Sequence, residues 1–281
     1  MNKKTFTLSE VKKMFPRPFG ERVRGYNTFT LAEGATHVVT SDNNCKIAFT
    51  LAEVLITLGI IGVVAVLTLP SVIQKQQEKI TVNRLKSVYS ILSQAFARTI
   101  EENGTPDTWG MGGMYDEQSH IIMGNAFVPY LKLSENCIGQ SSVYIKNNCS
   151  KKFTTPNQYS SIVLSNGVAI SFRTYYNNCN SGSGITKDTC GAIFIDINGM
   201  KRPNELGKDM FGFFITKTKI VPFGLKDTRP SFKQNCDITD SDRLPSQPQM
   251  SACAAWVLYN ENMDYLHCTG LDWDGKHSCK D

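Results

Sequence analysis

Phe49-Thr50-Leu51-Ala52-Glu53-Val54-Leu55-Ile56-Thr57-Leu58-Gly59-Ile60-Ile61-Gly62-Val63-Val64-Ala65-Val66-Leu67-Thr68-Leu69-Pro70 is the stretch whose reading decides the fold. The 21 residues from Phe49 to Leu69 carry a single charge, Glu53. About 20 apolar residues suffice to cross a bilayer as a helix. Ionised side chains at a membrane centre cost about 2.5–3.5 kcal/mol by insertion scales, so an acid in such a helix normally marks function. A secretory signal peptide has a shorter apolar core of about 7–15 residues, followed by a small-x-small cleavage site. Here the run ends in Thr68-Leu69-Pro70-Ser71-Val72-Ile73-Gln74, with no such site. A plain signal anchor would explain the apolar run and leave the glutamate unexplained.

Beyond Pro70 the helical period continues. Val72, Ile73, Ile80, Leu85, Val88, Tyr89, Leu92, Phe96 and Ile100 recur at helical spacing, with Lys75, Lys79, Arg84, Lys86 and Arg98 between them. Asn103-Gly104 supplies a stop signal. One helix from Phe49 to about Glu102 would be about 80 Å long at 1.5 Å per residue. Its first half suits lipid, and its second half suits an apolar stripe laid on a soluble domain. Pro70 removes one backbone hydrogen bond and is expected to bend or open the helix locally.

Charge and cysteine both change character at the start of this helix. Residues 1–48 hold eight Lys/Arg and four Asp/Glu, leaving 22 basic and 21 acidic residues after them. The remainder is near neutral, which argues against a nucleic-acid surface. The basic leader obeys the positive-inside rule, with residues before Phe49 cytoplasmic and those after exported. Of the nine cysteines only Cys45 lies in the leader. The other eight form an even set outside the helix, as expected of disulfides made in an oxidising, periplasm-like compartment. Eight cysteines allow 105 connectivities. Nearness in sequence favours Cys137–Cys149, Cys179–Cys190 and Cys253–Cys268, which leaves Cys236–Cys279. A metal site is the competing use, but no C-x-x-C pair occurs.

The leader, 1–48, is polar and without sustained periodicity, as a disordered segment would be. Phe6-Thr7-Leu8-Ser9-Glu10-Val11 and Phe29-Thr30-Leu31-Ala32-Glu33-Gly34 echo the start of the helix, yet neither precedes an apolar run. From residue 104 onward an exported globular domain is expected. Ile121 to Leu133 reads as a short helix broken at Pro129. After it the period changes to two. Ser161–Leu164 and Val168–Phe172 flank Ser165-Asn166-Gly167 as a hairpin. Ala192–Ile197 and Met210–Ile215 form a second pair. Residues 217–250 read as loop, Trp256–Tyr259 as a final strand and Met263–Leu266 as a short closing segment. The fold expected is α+β: a long N-terminal helix packed on an antiparallel sheet, with a disulfide-rich C-terminal region.

The segment around Phe49 resembles the processing and assembly region of type IV pilins and type II secretion pseudopilins. Small Ala48 precedes Phe49, Glu53 is the fifth residue counted from Phe49, and Pro70 is the twenty-second. The resemblance implies that a prepilin peptidase cuts between Ala48 and Phe49 and methylates the new amino terminus. Glu53 and Pro70 would then serve assembly. The family prefers glycine before the cut, so Ala48 is a departure expected to slow processing. A leader of 48 residues is long for this family, which makes Met14 a candidate start. The implied partners are the peptidase, other pilin or pseudopilin subunits, the inner membrane and a secretion or pilus assembly platform. The implied location is the inner membrane as a single pass, then a pilus or pseudopilus. A membrane-anchored adhesin or binding domain is the alternative function, and a tethered periplasmic enzyme the second.

Some pseudopilins bind calcium near the connection between sheet strands. Here Asp196, Asn198 and Asp209 could supply the hard oxygens calcium prefers. A long hairpin loop using Asn198-Gly199 and Pro203 for its turns is the favoured reading of the same residues. Nothing supports an enzyme: Gly182-Ser183-Gly184 lacks nucleophile-elbow spacing, and no phosphate-binding or dinucleotide fingerprint occurs. His120, His267 and His277 are scattered and read as solvated surface residues. Trp256, Tyr259, Tyr265 and Trp273 read as core packing beside the disulfides rather than as a ligand site.

Overall fold

A computed structural model of the chain describes residues 49–236 and 251–281. The expected leader, including Cys45 and Ala48, lies outside the described residues, as do residues 237–250 of the expected loop. Two compact units divide the chain, one ending at Ala65 and one running from Val66 to Asp281. Helix α1, Leu51–Asn103, runs through Pro70 without interruption. It is the one helix among the described residues long and apolar enough to cross a membrane. In the first unit its apolar side chains, among them Leu55, Ile56, Ile60 and Ile61, are exposed.

In the second unit, burial along α1 starts only at Val82. Val82, Leu85, Val88, Leu92, Ala95, Phe96 and Thr99 face the core at helical spacing. Val72, Ile73 and Ile80, which belong to the same apolar pattern, stay exposed. Gly104, at φ +73°, ends the helix in the left-handed conformation glycine adopts freely, and its N–H closes on the Ile100 carbonyl at 3.0 Å. Asp116 caps α2, Glu117–Phe127, by accepting from the N–H groups of Gln118 and Ser119. The helix read from sequence at Ile121 to Leu133 thus starts four residues earlier. It ends ahead of Pro129, which opens a short 3₁₀ turn at Val128–Tyr130.

Six antiparallel strands follow in a plain meander: β1 Leu133–Asn136, β2 Ser160–Leu164, β3 Ala169–Thr174, β4 Thr189–Asp196, β5 Met210–Thr216 and β6 Ile220–Pro222. Between β1 and β2 lies the short helix α3, Ser142–Asn148. Ile162 pairs with Ile170, Phe172 with Ile193, and Ile193 with Phe213. Alternation puts these residues on one face, in a single core with Leu85, Leu92 and Phe96 of α1. Each fully buried Leu, Ile or Phe in that core stabilises the fold by about 1.5–3 kcal/mol. Tyr89 donates from its hydroxyl to the Ile220 carbonyl at 3.2 Å, and Arg84 to the Ile197 carbonyl at 3.3 Å. Both bonds fix α1 across the sheet.

The opposite face is not bare. Ala192, Phe194, Phe214, Phe223 and Ala252 form one cluster, and Phe153, Leu206 and Met210 another. Gly212 in β5 permits this, because a Cβ there would sit 2.4 Å from the Phe223 ring.

The C-terminal region differs from its sequence reading in three ways. Residues 217–236 contain β6 and the short helix α4, Phe232–Asn235, where only loop was expected. Trp256–Tyr259 is not a strand; it lies in helix α5, Ala254–Asn260. A short apolar run does not separate the two by period. Here Ala254 through Val257 are all buried, and the Ala255 N–H bonds the Phe223 carbonyl. The third difference is the disulfide pattern. Cys137–Cys149 and Cys179–Cys190 are joined, but the other two bonds are Cys236–Cys253 and Cys268–Cys279 rather than Cys253–Cys268 and Cys236–Cys279. Cys236 ends α4 and Cys253 opens α5, so those helix ends meet at a Cα separation of 5.1 Å. The tail folds back instead on the turn after α5, where the Cys279 N–H donates to Asp264 Oδ2 at 2.7 Å.

Candidate functional site

Phe49, Thr50 and Glu53 stand at the head of α1. Glu53 Oε2 accepts from the Thr50 N–H at 2.8 Å and the Thr50 hydroxyl at 2.9 Å, while the Glu53 N–H returns a bond to Thr50 Oγ1 at 3.2 Å. That is a reciprocal capping box, and it satisfies donors that a helix start otherwise leaves open. The carboxylate also suits the positive end of the helix dipole. Glu53 meets no cation among the described residues, and Phe49 is 78% exposed. Ala48, the other half of the expected cleavage site, lies outside the described residues. Pro70 sits inside α1, 17 positions beyond Glu53.

The Asp196–Asp209 connection is built around Asp209. Its oxygens accept from the Asn204 N–H at 2.7 Å, the Glu205 N–H at 2.7 Å and Asn198 Nδ2 at 2.9 Å. The Asn198 amide also donates to the Arg202 carbonyl, while Asn198 Oδ1 and Asn204 Oδ1 are buried without a hydrogen-bond partner. Calcium takes six to eight oxygens at about 2.3–2.6 Å. Asp209 instead spends its oxygens on N–H donors, and no group of three His, Cys, Asp or Glu among the described residues is placed to hold a metal. Asp196, Asn198 and Asp209 come together in a loop latched by Asp209.

Burial and the neighbouring Asp209 charge push the Asp196 carboxyl up to about 8. An unfolded aspartate releases its proton near pH 4. Between those values the folded chain binds one more proton than the unfolded chain. Stability therefore falls as pH rises from about 4 to about 8 and levels off above, with a slope of at most about 1.4 kcal/mol per pH unit. Asp196→Asn should remove this slope and raise the thermal midpoint at pH 7–8. A melting curve series across pH 4–9 reads both effects, and an unchanged slope in the variant would contradict the assignment.

His120 corrects its surface reading, for it is completely buried. The Thr174 N–H donates to its Nδ1 at 3.0 Å, so Nε2 carries the proton and donates toward the carbonyls of Met114 and Asn157. Burial, the largest influence, lowers its pKa and keeps the ring neutral. It is a structural strut between α2 and β3. His267 pairs with Glu78 of α1 at 2.7 Å, and His277 Nε2 donates to the Trp273 carbonyl at 3.0 Å, so the three histidines do not converge. Trp256 and Tyr265 are core residues and Trp273 packs against them, whereas Tyr259 is exposed.

An open cleft of about 530 Å³, marked by no motif in the sequence, lies on the sheet face opposite α1. Arg173 of β3 and Phe194 of β4 line it, with Lys152, Tyr159, Tyr175 and Arg229. Arg173 lies one residue past the strand end read from sequence, and its alternation with Ala169 and Ser171 is the signal that puts it on this face.

A model of a family of unknown function, DUF6613, matches residues 71–271. The chain belongs to that family. The match opens directly after Pro70 and takes in the rest of α1, the sheet and three of the four disulfides, but neither the Phe49–Pro70 segment nor the tail with Cys279. No curated protein and no solved structure matches the chain.

Proposed function

We propose that this chain is a structural subunit, a pilin or pseudopilin, of a type IV pilus or type II secretion system. The observation that carries the reading is Glu53: the one charge in a membrane-length apolar helix, four residues after Phe49, at the head of an α1 that continues into a disulfide-bonded sheet domain. The coarser statement stands by itself. One helix can span a membrane, and four disulfides suit an extracytoplasmic domain.

In this account the leader stays on the cytoplasmic side of the inner membrane. The peptidase hydrolyses the Ala48–Phe49 amide, and the freed Phe49 amine is methylated. Glu53 then pairs with the positive amino terminus of a neighbouring subunit, so that two charges enter the apolar fibre core together rather than singly. Gly59 and Gly62 meet nothing within 4 Å of where a Cβ would stand, and they allow neighbouring helices to approach closely. The exposed Val72, Ile73 and Ile80 extend the sticky stripe below Pro70. Co-expression with an active prepilin peptidase should convert the chain to a form shorter by the 48 leader residues, while an inactive peptidase leaves it whole. Identical migration in both strains would overturn the reading.

A further inference from the structure

The cleft on the sheet face opposite α1 combines aromatic rings with cations. Its floor is a run of touching rings: Phe153 lies 4.5 Å from Phe194, Phe194 5.9 Å from Phe223, and Phe223 4.2 Å from Phe214, centroid to centroid. Over this floor the Arg173 guanidinium is held between two tyrosines, 5.3 Å from the Tyr159 centroid and 5.7 Å from that of Tyr175. Its Nη1 donates to the Tyr159 hydroxyl at 3.1 Å. Lys152 and Arg229 stand exposed at the rim. Among the described residues the lining includes three cations and no carboxylate. None of the three forms an ion pair among the described residues.

Two polar atoms in the wall are buried without a hydrogen-bond partner, Arg173 Nε and Ser251 Oγ. Unpaired buried donors are rare in native proteins and call for a ligand or ordered water. The size, about 530 Å³, falls within the range of small-molecule sites.

We infer that this cleft binds a carboxylated sugar, a pyranose acid within an anionic oligosaccharide. The half-buried Phe194, Tyr159 and Tyr175 rings and the exposed Tyr176 offer aromatic surface against which the C–H face of a pyranose can lie. The cations suit its carboxylate, and the tyrosine and threonine hydroxyls of the lining suit its ring hydroxyls. A peptide of aspartates alone would satisfy the charge but make no use of the aromatic lining. The site sits wholly within the second unit and does not depend on Glu53 or on leader processing, so it stands or falls apart from the fibre reading.

The test is isothermal titration of the full chain, held in a detergent without a sugar headgroup, with trigalacturonate, its neutral methyl ester and penta-aspartate. Saturable binding of trigalacturonate is expected, with the ester roughly tenfold weaker for want of the charge-assisted contacts. Lys152→Gln with Arg229→Gln, both at exposed positions, should weaken trigalacturonate at least roughly fivefold, each lost cation removing part of the electrostatic complementarity. The thermal midpoint of that double variant should stay unchanged. Tyr176→Ala, also exposed on the rim, should weaken the acid and the ester alike. Absence of saturable binding at millimolar trigalacturonate would overturn the inference. Equal affinity for the ester, or for penta-aspartate, would overturn it too.

Discussion

Glu53→Gln should leave the chain in the membrane and remove it from fibres. Glutamine keeps a side-chain oxygen that can accept from the Thr50 N–H and hydroxyl, so the capping box at the head of α1 survives in outline. What it loses is the charge. In the proposed fibre the neighbouring amino terminus would then be left buried and unpaired, and removing one partner of a desolvated pair is among the costliest single changes known. Fibre yield should fall at least roughly a hundredfold, while the membrane-bound pool stays constant. Thr50→Val is the matched control. It takes away the hydroxyl that donates to Glu53 and accepts its N–H, yet it keeps the carboxylate. It should assemble. If Thr50→Val loses fibres as completely as Glu53→Gln, the glutamate serves the helix cap and not the neighbour.

The second large effect lies in the C-terminal core. Trp256 is fully buried, stacked on Phe232 at 4.1 Å and 5.3 Å from Trp273. Its indole N–H donates to Asn262 Oδ1 at 2.9 Å, and the Asn262 amide in turn donates to the His277 carbonyl of the tail. Trp256→Ala would leave a large cavity, release Phe232 of α4 and strand Asn262. Substitutions of this kind cost about 3–5 kcal/mol, a large share of the 5–15 kcal/mol typical of a domain. Denaturant unfolding of the full chain, followed by far-ultraviolet circular dichroism, should show that loss. Trp256→Phe should lose less, since it keeps most of the ring and gives up the N–H bond. Tyr259→Ala, at a residue 63% exposed, should change stability by less than about 0.5 kcal/mol. A loss below 1 kcal/mol or so for Trp256→Ala would contradict the packing described.

Much of this architecture is legible in the sequence, and the limits have physical causes. The 3.6-residue period locates α1, and Asn103-Gly104 its end. Short apolar runs bounded by turn residues locate β2 to β5, whose residues are buried on both faces of the sheet. β1 and β6 escape, since four and three residues are too few to display a period. α5 misreads as a strand because seven residues with Ala254 to Val257 all buried have no polar face near their start. The Cys236–Cys253 bond was hidden for the same reason. Its placement depends on α4 and α5, which the sequence reading did not contain. Of the sites, Glu53 stands out from sequence because its apolar surroundings make one charge conspicuous. The cleft does not, because Lys152, Arg173, Phe194 and Arg229 come from four separate segments that only the sheet brings together.

The most direct measurement is mass spectrometry of the amino terminus of the chain isolated from the cells that make it. The first residue should be N-methylated Phe49, with residues 1–48 gone. A chain that keeps its leader in cells with a working prepilin peptidase, or that starts at any other residue, would contradict it.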